Sequence, residues 1–173
     1  GRAVKDSDSP DLIVVCVPPH LTAQVVADEL IAFPKAIVTD VASVKSGILE
    51  ELIRLSAPIE RYIGSHPMAG RERGGAIAGR ADLFVGRPWV ITPNAKSQPA
   101  GIKLVQNLAE SLEASVVTTS ATDHDRAVGL RIFLLQAPRV DPAVVAVIIA
   151  GRRCWDPMAI AVHIAVTVIV AVR

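Results

Sequence analysis

Three short segments hold residue types able to do proton-transfer chemistry or to place a ligand. The first, Thr39-Asp40-Val41-Ala42-Ser43-Val44-Lys45, ends an apolar run and turns into a helical pattern. Ligands of α/β sheets collect at such strand ends. Read from its local chemistry alone, Ser43 is more often an ordinary helix cap than a catalytic group. The second, Gly64-Ser65-His66-Pro67-Met68-Ala69-Gly70-Arg71-Glu72, carries one imidazole among glycines that permit close backbone approach. An imidazole there can take up a proton near neutral pH, although a lone loop histidine can also be incidental. The third, Asp123-His124-Asp125-Arg126, opens a helix whose positive end its acids complement. A solvated, capped helix terminus would look the same.

The elements that must position these residues are legible as alternating patterns. Asp11 to Val17 is a continuous apolar run stopped by Pro18 and Pro19, as expected of a strand buried on both faces of a parallel sheet. Thr22 to Ile31 has helical spacing, Pro34 closes it, and Ala36 to Thr39 makes the next strand. Val44, Ile48, Leu52 and Leu55 form the stripe of a second helix, with Ser43 in its N-terminal region. Tyr62-Ile63 reads as a short third strand, Gly64 to Gly86 as a glycine-rich loop, and Trp89 to Thr92 as a fourth strand. Gly101 to Leu112 is amphipathic, Ser115 to Thr118 is strand-like, and a helix starts near Thr122. Such alternation predicts an α/β fold with an open, doubly wound parallel sheet.

Composition narrows the function classes. A net charge of +1, from 18 basic and 17 acidic residues, gives no field for nucleic acid, and 3% aromatic content leaves no base-stacking surface. Cys16 and Cys154 lack metal-ligand spacing, so no metal site is expected and a reducing cytoplasm is the natural location. Gly1 to Pro10 is polar and charged, unlike a signal peptide. The final apolar run, Met158 to Val172, is about 15 residues interrupted by His163. That is short of the roughly 20 a membrane helix needs, so no membrane partner is expected.

Over residues 11 to 130, the runs VTDVASVK, GSHPMAGRERGG, ADLFVGRPWVITP and DHDRAVGL resemble, in order and separation, the prephenate dehydrogenase family of tyrosine biosynthesis. The resemblance implies a Rossmann-type domain for NAD or NADP and a helical second domain that forms a homodimer and completes the substrate pocket. It implies oxidative decarboxylation of prephenate to 4-hydroxyphenylpyruvate. By motif position, His66 would take the proton of the substrate ring hydroxyl, and Ser43 would orient His66 beside the nicotinamide. Glu72 and Asp125 would bind substrate or gate its entry. Val17, Pro18, Pro19, Thr39 and Asp40 would contact the cofactor.

The resemblance stops after Leu130. No G-x-G-x-x-G loop precedes the first strand, so residues 1–130 are expected to be a partial dinucleotide-binding domain lacking its first βαβ portion. Residues 131–173 stand in place of the helical dimerisation domain as an aberrant, apolar and helical segment. Codons permitted for Leu130 to Leu135 can be read two bases later as Ala-His-Leu-Pro-Pro, close to the family's continuation, which a reading-frame change would explain. Two alternatives stay open: arogenate dehydrogenase, which uses the same core on the amino-acid analogue, and a catalytically incompetent remnant.

Overall fold

The structure is a computed structural model that describes residues 9–69, 82–136 and 168–172, with side chains described for 9–69 and 82–129. Six strands form one sheet in the order β5-β4-β3-β2-β1-β6. They are β1 Leu12–Cys16, β2 Ile37–Asp40, β3 Tyr62–Pro67, β4 Pro88–Thr92, β5 Ser115–Thr118 and β6 Val168–Val172. Four helices connect or flank them: α1 Pro19–Ala32, α2 Ser46–Arg54, α3 Pro99–Ser111 and α4 Ala121–Gln136.

Alternation along β1 explains why the sheet is covered on both sides. Ile13 and Val15 pack with Val38 against Val26, Leu30, Ile48 and Leu52 of α1 and α2. Leu12 and Val14 point the other way, into a cluster with Ile37, Ile63 and Ile91 and with Val105 and Ala109 of α3. Both sets lose nearly all contact with water, which is the main stabilising term for such a sheet. Pro19 starts α1 with its φ already set, and Thr22 Oγ1 donates back to Pro18 O at 3.1 Å.

Strands β1, β2 and β3 run parallel, and so do β4 and β5. The expected Rossmann-type α/β sheet is present and mostly parallel across β1–β5; the one antiparallel pair there is β3 with β4, His66 opposite Val90 and Pro67 opposite Trp89. A parallel return needs a crossover of about a dozen residues or more, usually a helix. The glycine-rich sequence between β3 and β4 carries no helical pattern, and beyond the paired residues Met68 N–H donates to Pro88 O at 2.8 Å. The third strand is also longer than Tyr62-Ile63, so His66 sits in a strand and not in a loop.

The C-terminal region is not uniformly helical either. Helix α4 carries the chain through residue 136, whereas Val168–Val172 pairs antiparallel with β1, Leu12 facing Val172 and Cys16 facing Val168. The expected boundary after residue 130 therefore falls inside α4. Among the described residues, no helix is long and apolar enough to cross a membrane.

Candidate active site

The parallel strands β1, β2 and β3 end at one edge of the sheet, and a buried polar network is built there around Asp40. Its carboxylate forms an ion pair with Lys45, accepts from Tyr62 Oη at 2.7 Å, and accepts from the Ala42 backbone N–H at 3.0 Å. Lys45 Nζ also donates to Ser65 O at 2.8 Å, and Ser65 Oγ donates to Asp40 O at 2.7 Å. Burial pulls the Lys45 ammonium down, against the charges of Asp40 and Asp125. The direct contact and the second acceptor favour the charged pair. Burial and the Asp40 charge push the Tyr62 phenol up, so it stays the donor. Burial and Asp40 likewise raise the Cys16 thiol, which is the wrong direction for a nucleophile.

His66, the penultimate residue of β3, faces α4. Its Nδ1 lies 2.9 Å from His124 Nε2, and His124 Nδ1 lies 2.8 Å from Asp125 Oδ1. The two rings meet edge to face at a centroid distance of 5.1 Å. Asp125 in turn accepts from the backbone N–H groups of Lys45 at 2.9 Å and Ser46 at 2.8 Å. This carboxylate, brought from α4, thus satisfies the unpaired N–H groups at the start of α2. Burial raises the Asp125 carboxyl, but the bonds from His124, Ser46 and Lys45 outweigh that and hold it low. Burial first, then the neighbouring His124 and the Lys45 ammonium, lower His66 to about 4 against the pull of Asp125, so its imidazole is neutral at physiological pH.

The residues singled out by sequence fall into three groups. His66 and Asp125 are brought together, with His124 between them. Asp125, expected at the substrate or as a gate, has both its oxygens engaged in the bonds just described. Val17 and Pro18 are half-buried and Pro19 is exposed at the end of β1, where a ligand can reach them. Thr39 and Asp40, expected at the cofactor, are 0% exposed. Their polar atoms are consumed internally; Thr39 Oγ1 donates to Ser65 Oγ at 3.2 Å. Ser43 is exposed, and among the described residues no hydrogen bond joins it to His66. It does not cap α2, which starts three residues later at Ser46. Glu72 lies outside the described residues. His124 and Lys45 were inside the quoted motifs but were given no role. Their signal was a polar residue in a run that folds inward, which only the tertiary contacts make visible.

A shallow groove of about 350 Å³ opens between the starts of α1 and α2, lined by Pro19, His20, Ala23, Val44, Gly47, Ile48 and Glu51. Nothing lies within 4 Å of where a Cβ on Gly47 would stand. The groove combines an apolar wall with this open glycine. Among the described residues, no cluster of three or more His, Cys, Asp or Glu could hold a metal ion.

Comparison with known proteins agrees with this geometry. Residues 2–118 match the family model for the nucleotide-binding domain of prephenate dehydrogenase. The chain is 35% identical over 136 residues to a probable prephenate dehydrogenase of Streptomyces niveus, covering 79% of this chain and 38% of that protein. It is 32% identical over 125 residues to a cyclohexadienyl dehydrogenase of Zymomonas mobilis, covering 72% and 42%. It therefore spans about two fifths of the length of these relatives. Among solved structures, Aquifex aeolicus prephenate dehydrogenase in complex with hydroxyphenyl propionate and NAD+ superposes with a TM-score of 0.65 at 27% identity, over 72% of this chain and 43% of that one. Synechocystis arogenate dehydrogenase gives 0.61 at 27% identity, over 82% and 54%. With more than half of its residues inside the family model and a sheet that superposes on the family's structures, the chain belongs to the prephenate dehydrogenase family.

Proposed function

We propose that this chain carries the proton-accepting part of an NAD- or NADP-dependent dehydrogenase that converts prephenate to 4-hydroxyphenylpyruvate and carbon dioxide. The observation that carries the reading is His66: a neutral imidazole held by an anchored partner at the carboxyl edge of parallel strands. The nicotinamide, when bound, supplies the acceptor for the hydride leaving the ring carbon that bears the hydroxyl. His66 takes the hydroxyl proton as that carbon becomes a carbonyl, and the carboxylate leaves as carbon dioxide. The ring then aromatises and its oxygen takes a proton back, so no net proton is consumed. Because aromatisation makes the reaction downhill, the protein need supply mainly a base and orientation.

Val17, Pro18 and Pro19 provide an apolar wall for the cofactor in this reading, and Ser43, exposed at the same edge, has its hydroxyl free for substrate or nicotinamide. Arogenate is the second candidate substrate, favoured by the 82% of this chain that aligns with the Synechocystis arogenate dehydrogenase.

The test is absorbance at 340 nm with purified protein, prephenate or arogenate, and each nicotinamide cofactor, beside a His66→Asn control. Reduction of one cofactor that disappears in His66→Asn supports the reading and identifies substrate and cofactor. Reduction that persists in the variant removes His66 from the chemistry. No reduction with any pair would class the chain as an incompetent remnant.

A further inference from the structure

A histidine can act as a base only at the nitrogen that lacks the proton, and the contacts around His66 determine which nitrogen that is. A carboxylate only accepts hydrogen bonds, so the 2.8 Å contact between Asp125 and His124 puts a proton on His124 Nδ1. In neutral imidazole the other nitrogen then holds a lone pair, and His124 Nε2 becomes an acceptor. The atom 2.9 Å from it, His66 Nδ1, must be the donor. His66 is left with its proton on Nδ1 and its lone pair on Nε2, which has no hydrogen-bond partner among the described residues.

Resting on the proposed reaction, we infer that His124 and Asp125 are positioning residues that set the tautomer of His66 so that Nε2 is the base. A free imidazole favours the opposite tautomer, with the proton on Nε2 and the lone pair on Nδ1. That lone pair would face His124 and would be useless to a substrate on the other side of the ring.

The chain of contacts is built to resist rearrangement. His124 is 3% exposed, which leaves its ring little room to turn. Asp125 is fixed from across the molecule by the Lys45 and Ser46 N–H groups, some 80 residues away in sequence. Those bonds also keep it ionised, so it cannot donate a proton and reverse the polarity. When His66 gains a proton at Nε2, its Nδ1–H stays in place and the Asp125 charge supports the new cation through His124. A histidine buried merely as core filling would need only one satisfied nitrogen and no ionised anchor behind its partner.

The test reads the tautomer directly, with no substrate present. Long-range proton–nitrogen correlation spectra of the labelled protein at neutral pH, its four histidines assigned by single substitution, report the protonation of each ring nitrogen. The expected result is an unprotonated, pyridine-type Nε2 on His66. His124→Leu removes the acceptor and should exchange the two His66 nitrogen shifts. His124→Gln places an amide oxygen where Nε2 stood and should restore the original pattern. A protonated His66 Nε2 in the unsubstituted protein would overturn the inference, as would a His124→Leu spectrum with the tautomer unchanged. Should His124→Leu fail to fold, the unsubstituted spectrum and His124→Gln still decide. An intact tautomer pattern in a protein that oxidises neither prephenate nor arogenate would sink the substrate reading and leave the positioning standing.

Discussion

Burial, with His124 and Lys45 as neighbours, holds the His66 imidazole at about 4, and this has a consequence for stability that requires no substrate. In the unfolded chain the same group titrates near 6.5. Between those values the unfolded state binds a proton that the folded state refuses, so stability is full above about pH 6.5 and falls as pH drops toward 4. The loss attributable to His66 is on the order of 2 kcal/mol once its partial exposure is allowed for. Asp125, also held low, adds a loss in the same direction, so a comparison is needed to isolate His66. Urea midpoints measured from pH 7 to pH 4 should fall more steeply in the unsubstituted protein than in His66→Asn. Parallel profiles would mean that the imidazole is not held neutral. In the proposed reaction, the same shift would put the acid limb of kcat/KM near pH 4 rather than near 6.5. His66 was legible in the sequence because an imidazole among glycines past a strand is unusual. The part played by His124 was not, because it depends on a contact spanning 58 residues. Lys45 was hidden for a similar reason: it follows Asp40 by five residues through an irregular turn that no periodicity describes.

Helix α1 ends at Ala32 without a glycine, and its last carbonyls are satisfied from elsewhere. Arg61, in the short 3-10 turn Ile59–Arg61, donates to Leu30 O at 2.6 Å, Phe33 O at 3.0 Å and Ala36 O at 3.1 Å. One guanidinium thus ties the end of α1, the approach to β2 and the start of β3 together, and its charge suits the negative end of a helix. Removing it takes a donor from three carbonyls, of which Phe33 O keeps the Ala36 N–H at 3.1 Å, and charge-assisted bonds of this kind are worth more than neutral ones. Arg61→Ala should lower unfolding free energy by about 2–4 kcal/mol, and Arg61→Lys should recover only part, since an ammonium cannot reproduce the fork. Denaturant unfolding checks this, and a loss below about 0.5 kcal/mol would show that water replaces the side chain. Strands β1, β2, β4 and β5 were readable from apolar runs, α1, α2 and α3 from helical spacing, and α4 from its acidic start. The end of β3 was not, because Gly64, Ser65, His66 and Pro67 are poor strand formers. Pairing with Trp89 to Thr92 supplies what local preference lacks. Gly64 is needed in that pairing, as a Cβ there would come within 2.5 Å of Thr92 Oγ1.

At the scale of the whole molecule, the most exposed liability of this sheet would be β1 itself. Leu12 to Val15 are all buried, with apolar side chains on both faces, and such a strand left with an open edge is a template for pairing with another chain. One edge of β1 is taken by β2, and the other is covered by β6, which arrives from the far end of the sequence. An apolar C-terminal run could not be read as strand or helix from periodicity alone, because a run apolar all round suits either. What decides it for Val168–Val172 is the unpaired backbone of β1, which only the assembled sheet presents. Deleting residues 168–173 should therefore act on β1 rather than locally. The hydrogen bonds lost along the five paired residues amount to about 2–4 kcal/mol of protection. Amide exchange of Leu12–Cys16 should accelerate at least tenfold, while α3 and β5 on the opposite side keep their rates. The bared edge should also raise self-association at high concentration, measurable by sedimentation. Unchanged exchange in β1 after the deletion would mean that β6 contributes nothing to holding the sheet, and that β1 tolerates an open edge because α1 and α3 already shield it from a second chain.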